Sequence, residues 1–178
     1  MPETPSPVTI ETYRFEDDGL VPNNDRLPLV VYRGALGEAP DRAGRCEAMF
    51  ARNGWGGSWR NGIYALHHYH STAHEVLGIA AGSARVRLGG ESGRAIELCA
   101  GDVVVIPAGV AHKREAASDD LLVIGAYPVG QDPDMCRAGA EARERALAKV
   151  RAVPLPAADP VTGGHAPLLE CWDASVRN

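Results

Sequence analysis

The stretch from Gly62 to Gly82, GIYALHHYHSTAHEVLGIAAG, restricts this chain more than any other, because four of the six histidines lie in it. Side chains two apart on a strand leave the same face. On that periodicity the even positions Tyr64, Leu66, His68 and His70 share one face, which points inward if it holds a ligand. Glu75 follows after Ser71 to His74, a gap long enough for the chain to turn and come back. Two imidazole nitrogens and one carboxylate converging on a point suit a first-row transition metal. His67 falls on the opposite phase, and His74 enters such a site only through an irregular turn.

A second stretch, Gly101 to His112, runs GDVVVIPAGVAH and reads as a turn, a β-branched strand, a Pro-Ala-Gly turn and a further histidine. Together the two stretches resemble the paired motifs of the cupins. The first has the pattern Gly-x5-His-x-His-x4-Glu-x6-Gly at Gly62, His68, His70, Glu75 and Gly82. The second has Gly-x5-Pro-x-Gly-x2-His at Gly101, Pro107, Gly109 and His112. Their separation of 18 residues, Ser83 to Ala100, is similar to that in small bacterial cupins. The family pattern closes on an Asn where this chain has Ala116. Around the motifs, Asn53-Gly54-Trp55, Trp59-Arg60-Asn61-Gly62 and His67 to Ser71 resemble the YjlB-type cupins, from about residue 27 to residue 172.

The resemblance implies an all-β fold, the cupin double-stranded β-helix or jelly-roll-like barrel with flanking N- and C-terminal helices. It implies a metal held by His68, His70, Glu75 and His112. One divalent first-row ion per chain is expected: Fe, Mn, Ni, Co or Zn. Four protein ligands leave a six-coordinate ion two open positions, whereas zinc usually settles for four ligands in all. Pocket residues expected beside the metal are Tyr64, Leu66, Trp59 and Tyr127. No catalytic base is visible apart from the ligands. Three classes therefore stay open: a metalloenzyme with dioxygenase, isomerase or decarboxylase type chemistry on a small organic molecule, a non-catalytic metal-dependent binding or sensing module, and an interaction protein stapled by its metal.

Composition narrows the surroundings. At 178 residues with 45% hydrophobic content, the expectation is one core with extensions. These are an arm at 1–26, a barrel with one inserted helix at 27–128, and a helix with a docking tail at 129–178. Twenty Gly and 13 Pro favour many turns. A formal charge of −5 without a Lys/Arg cluster argues against nucleic acid and anionic membrane as partners. No apolar run approaches the length of a bilayer span, and the N-terminus lacks the features of a signal peptide, so a cytoplasmic location is expected. Cys46, Cys99, Cys136 and Cys171 are widely spaced and read as reduced thiols.

Locally, Asp41 reads as the N-cap of a helix running to about Asn53, with Ala43, Cys46, Met49 and Phe50 as its apolar stripe. Gly54 to Trp59 reads as a loop whose tryptophans line a pocket mouth or cover the barrel end. Asp132-Pro133 reads as the start of a helix running to about Val150. Leu168, Leu169 and Trp172 are expected to dock the tail. Ala65, His67 and Tyr69, on the outward phase, form an apolar and aromatic set that predicts a homodimer.

Overall fold

The computed structural model describes residues 8–176, with side chains through residue 173. Two antiparallel sheets form the barrel. The six-stranded sheet runs β1 (Thr9–Phe15), β2 (Asn24–Arg33), β8 (Val103–Ile106), β5 (Glu75–Ala81), β10 (Leu122–Pro128) and β3 (Trp55–Asn61) in spatial order. The five-stranded sheet runs β11 (Cys136–Arg137), β4 (His68–Tyr69), β9 (His112–Ala117), β6 (Ser83–Leu88) and β7 (Arg94–Cys99). Helices α1 (Arg42–Arg52), α2 (Ala140–Ala152) and α3 (Leu168–Val176) lie outside the sheets.

Strand periodicity places the core. Leu29 and Val31 on β2, Leu77 and Ile79 on β5, Val104 and Ile106 on β8 pack between the sheets against Ala84, Val86, Leu88, Ile96 and Leu98. The intervening Val30, Tyr32, Val76, Val103 and Val105 face the other way and are also buried, under Cys46 and Phe50 of α1 and Leu168 and Trp172 of α3. A sheet covered on both faces needs apolar residues at every position, which is why β8 reads VVVI without alternation. Helix α1 begins where Asp41 accepts a hydrogen bond from Gly44 N at 2.9 Å and ends at Asn53. The C-terminal segment is tied down by buried Asp159. Its carboxylate accepts from the Tyr32 hydroxyl (2.6 Å) and from Leu168 N (3.0 Å), while the Trp172 indole N–H donates to Pro28 O at 2.8 Å.

Three local expectations are corrected. Gly54 to Trp59, read as a loop from its glycines, runs into an edge strand at Trp55–Asn61, because β10 supplies the ladder hydrogen bonds from Pro128↔Trp55 to Val123↔Asn61. Helix α2 starts at Ala140, not at Asp132-Pro133. The Asp132 carbonyl instead accepts from the Thr72 hydroxyl at 2.7 Å, and the Asp134 carboxylate is taken by Ser71 N at 2.6 Å, so this segment is a strap along the barrel. The chain before His68 leaves the ladder, and its side chains do not follow strand parity. Leu66 is 57% exposed and Tyr64 59% exposed. The outward set also changes its meaning. Tyr69 is fully buried with Ala146 and Val150 of α2, so the chain's own helix covers one of its three residues, while Ala65 is exposed.

Candidate metal centre

The motif residues meet where the two sheets face each other. His68 and His112 are direct cross-strand partners on β4 and β9, with ring centroids 4.1 Å apart. His70 lies one residue past β4, where the motif-2 turn holds it: Gly109 N donates to His70 O at 2.8 Å. Gly109 has φ +91°, and a Cβ there would stand 2.3 Å from Asn23 O, so both the turn and the close approach require glycine. Glu75 opens β5 in the opposite sheet, across from Ile106. All four side chains are buried.

Hydrogen bonds at the far side of each imidazole fix which nitrogen faces the centre. His68 Nδ1 lies 2.9 Å from Leu66 O, His112 Nδ1 lies 3.2 Å from Val110 O, and His70 Nδ1 contacts Asp134 O. A carbonyl only accepts, so each Nδ1 carries the proton, and the neutral ring presents a bare Nε2 lone pair. The three histidines offer ligand atoms within 4.8 Å of one another. Into this group projects Glu75 Oε2, 3.2 Å from His70 Nε2 and 3.1 Å from His112 Nε2. It is buried and makes no hydrogen bond of acceptable geometry. Three nitrogen lone pairs and a carboxylate oxygen facing each other in a dry site repel, and a cation at the centre removes the conflict. The donor set therefore fits a metal of the type that takes imidazole and carboxylate.

Between Glu75 and the histidines beside it the electrostatics favour a shared proton, which a cation bound to the same lone pairs would displace. Burial alone would push the Glu75 carboxyl up, but His112 and His70 beside it hold it well below the usual carboxylate range. Burial, and then neighbouring His112, push His68 down to about 3. For His70, the Glu75 carboxylate outweighs burial and raises the ring above its ordinary value.

The other histidines have separate partners. His67 Nε2 lies 2.7 Å from Glu91 Oε1, and His165 pairs with Asp173 at 3.1 Å. His74 is fully buried, and burial pushes it down to about 3. Its Nδ1 accepts from Ala108 N at 2.9 Å, and its ring lies 4.7 Å from that of Trp172. It props the motif-2 turn against α3. Ala116, at the position of the family's Asn, is exposed on β9 opposite Arg85.

A cavity of about 490 Å³ opens above the cluster. Trp59, Tyr64 and Tyr127 line it, as do Ile63 and Leu77; Leu66 does not. Trp59 lies flat across Gly125, where a Cβ would come within 2.0 Å of the indole, and its Nε1–H donates to the Tyr127 hydroxyl at 3.0 Å. Trp55 is buried on the outer side of the sheet, donating to Ala158 O at 2.9 Å. Two lining residues escape a reading of the motifs. Met135 comes from the strap after the barrel, and no local signal announces it. Arg114 was legible by parity, because it stands two residues from His112 on the same strand face.

Residues 60–124 match the family model of the cupin domain, which sets the class of the fold. Over 162 residues, 91% of this chain and 96% of the relative, the sequence is 46% identical to the uncharacterized protein YjlB of Bacillus subtilis (strain 168). The chain belongs to the YjlB-type cupin family. Among solved structures it is similar to acireductone dioxygenase from Bacillus anthracis, with a cadmium ion in its active center (15% identity, 70% of this chain and 82% of that one, TM-score 0.38). It is also similar to procruciferin, the 11S globulin of Brassica napus (16% identity, 63% of this chain, TM-score 0.37), of whose length it spans 23%.

Proposed function

We propose that the protein is a metal-dependent enzyme acting on a small organic molecule, with one divalent first-row transition ion held by His68, His70, Glu75 and His112. The observation that supports it most is Glu75 Oε2, buried without a hydrogen bond among the three histidines below an open cavity. An ion there would supply a Lewis acid for polarising a carbonyl or carboxylate oxygen, chemistry common to dioxygenase, isomerase and decarboxylase types. The chain's own residues do the positioning. Burial and then the Glu75 charge raise the Tyr127 hydroxyl, so it stays protonated; it accepts from Trp59 and faces the Glu75 carboxylate across the cavity. Tyr64 stands edge-on to His68 at 5.2 Å and forms the rim. Arg60 is occupied, its guanidinium bound to both Glu47 oxygens at 2.9 and 2.7 Å.

A closed structural ion is the competing reading, favoured by the way the donors bridge the two sheets. Nitric oxide added anaerobically to Fe(II)-loaded protein separates the two. An open position gives a nitrosyl spectrum, the result expected here. A fully loaded protein that gives none overturns the enzyme reading and leaves the structural one.

A further inference from the structure

Arg114 is the cation of the cavity that no described residue engages. It leaves β9 on the same face as His112 and lines the cavity beside the histidine cluster. The backbone supports that direction: Arg114 N donates to Tyr64 O at 2.9 Å, and the strand steps out of register at Glu115, immediately beyond it. A bulge beside a site re-aims the neighbouring side chain. Three other arginines around the barrel hold carboxylates. Arg60 holds Glu47, Arg85 holds Glu97 and Glu115, and Arg87 holds Glu115. The Arg114 guanidinium makes no hydrogen bond or ion pair with any described residue. The cavity offers it no counter-charge either, since Glu75 is the one carboxylate in the lining and belongs to the donor set.

We propose that Arg114 is the anion-binding residue of this site, and that the molecule it selects is a small 2-oxo or 2-hydroxy carboxylic acid. This rests on the metal reading above. An unpaired guanidinium matches a carboxylate through two parallel N–H donors. The acid's second oxygen-bearing carbon then reaches the floor formed by His68, His70, Glu75 and His112, and its remainder lies against Ile63, Leu77 and Trp59. A single unengaged cation in the lining suits a monoanionic carboxylate better than a phosphate.

The test is calorimetric titration of Co(II)-loaded protein, with metal content measured first. The probes are pyruvate, 2-oxobutyrate, phenylpyruvate and lactate, with the corresponding 2-oxo amides and inorganic phosphate as comparisons. At least one acid is expected to bind, with its amide weaker. Arg114→Met should keep the metal and lose about 10- to 100-fold in affinity for that acid, as for a lost charge-assisted hydrogen bond. Arg114→Lys should recover part of it, and Arg85→Met, outside the cavity, should leave it unchanged. A metal-loaded wild type that binds none of the acids overturns this proposal alone, as does equal binding by Arg114→Met or tighter binding of phosphate. A wild type that takes up no metal overturns the metal reading and this proposal with it.

Discussion

The His70→Ala/His112→Ala double variant is expected to fall from about one metal ion per chain to near none, by the ligand logic of a site stripped of two of its four donors. The stability of the purified protein should fall with it. A ligand present at ~100 to 1,000 times its dissociation constant stabilises the folded state by roughly 2.7 to 4.1 kcal/mol. Here the ion would join β4 and β9 of one sheet to β5 of the other, so its binding energy adds directly to closure of the barrel. Chelation of the wild type should lower the melting temperature, whereas chelation of the variant should change nothing further. A variant that keeps full metal content, or a wild type indifferent to a strong chelator, contradicts the assignment. His67→Ala serves as the internal control, since its ring is engaged by Glu91.

Trp172→Ala is expected to be the most damaging change outside the four proposed metal ligands. The indole is fully buried, packs beneath the six-stranded sheet with Leu168 and Val30, and satisfies Pro28 O. Removing a buried aromatic of this size costs about 3–5 kcal/mol. For a chain of this length that is a fall in melting temperature of roughly 6–20 °C. The effect should reach the site through His74, whose ring rests on Trp172 and whose Nδ1 holds Ala108 N. Trp172→Phe keeps most of the packing and loses the hydrogen bond to Pro28, so it should cost about 1 kcal/mol. Denaturant unfolding of the three proteins checks the order. Near-equal stability of Trp172→Ala and wild type would mean that the tail does not dock on the barrel.

What could be read from the sequence, and what could not, follows from how far each cause lies along the chain. The strands with clean apolar phases, such as Val104 and Ile106 on β8 or Val86 and Leu88 on β6, carry their inward faces in local order. So does α1, with Asp41 at its start and Cys46 and Phe50 in its stripe. The misread segments are those whose partners are distant. Asp134 resembles a residue of a helix start until Ser71, 63 positions away, takes its carboxylate. Gly54 to Trp59 has the composition of a loop, yet it becomes a strand because β10 offers it a ladder. Leu66 was placed in the pocket by extending the parity of His68 and His70 backwards. The ladder stops at His68, so the parity stops there as well. Arg114 is the converse case: parity with His112 predicts its direction, but that no carboxylate among the described residues meets it depends on distant parts of the chain.

The measurement that bears most directly on the metal centre is anomalous diffraction from a crystal of the purified protein, collected at the absorption edge of whichever metal elemental analysis finds. One peak per chain is predicted, about 2.0–2.3 Å from Nε2 of His68, His70 and His112 and from a Glu75 carboxylate oxygen, the usual range for such ligands. A peak held by His67, His74 or a cysteine, or well-ordered density with the four side chains packed around no ion, would contradict it.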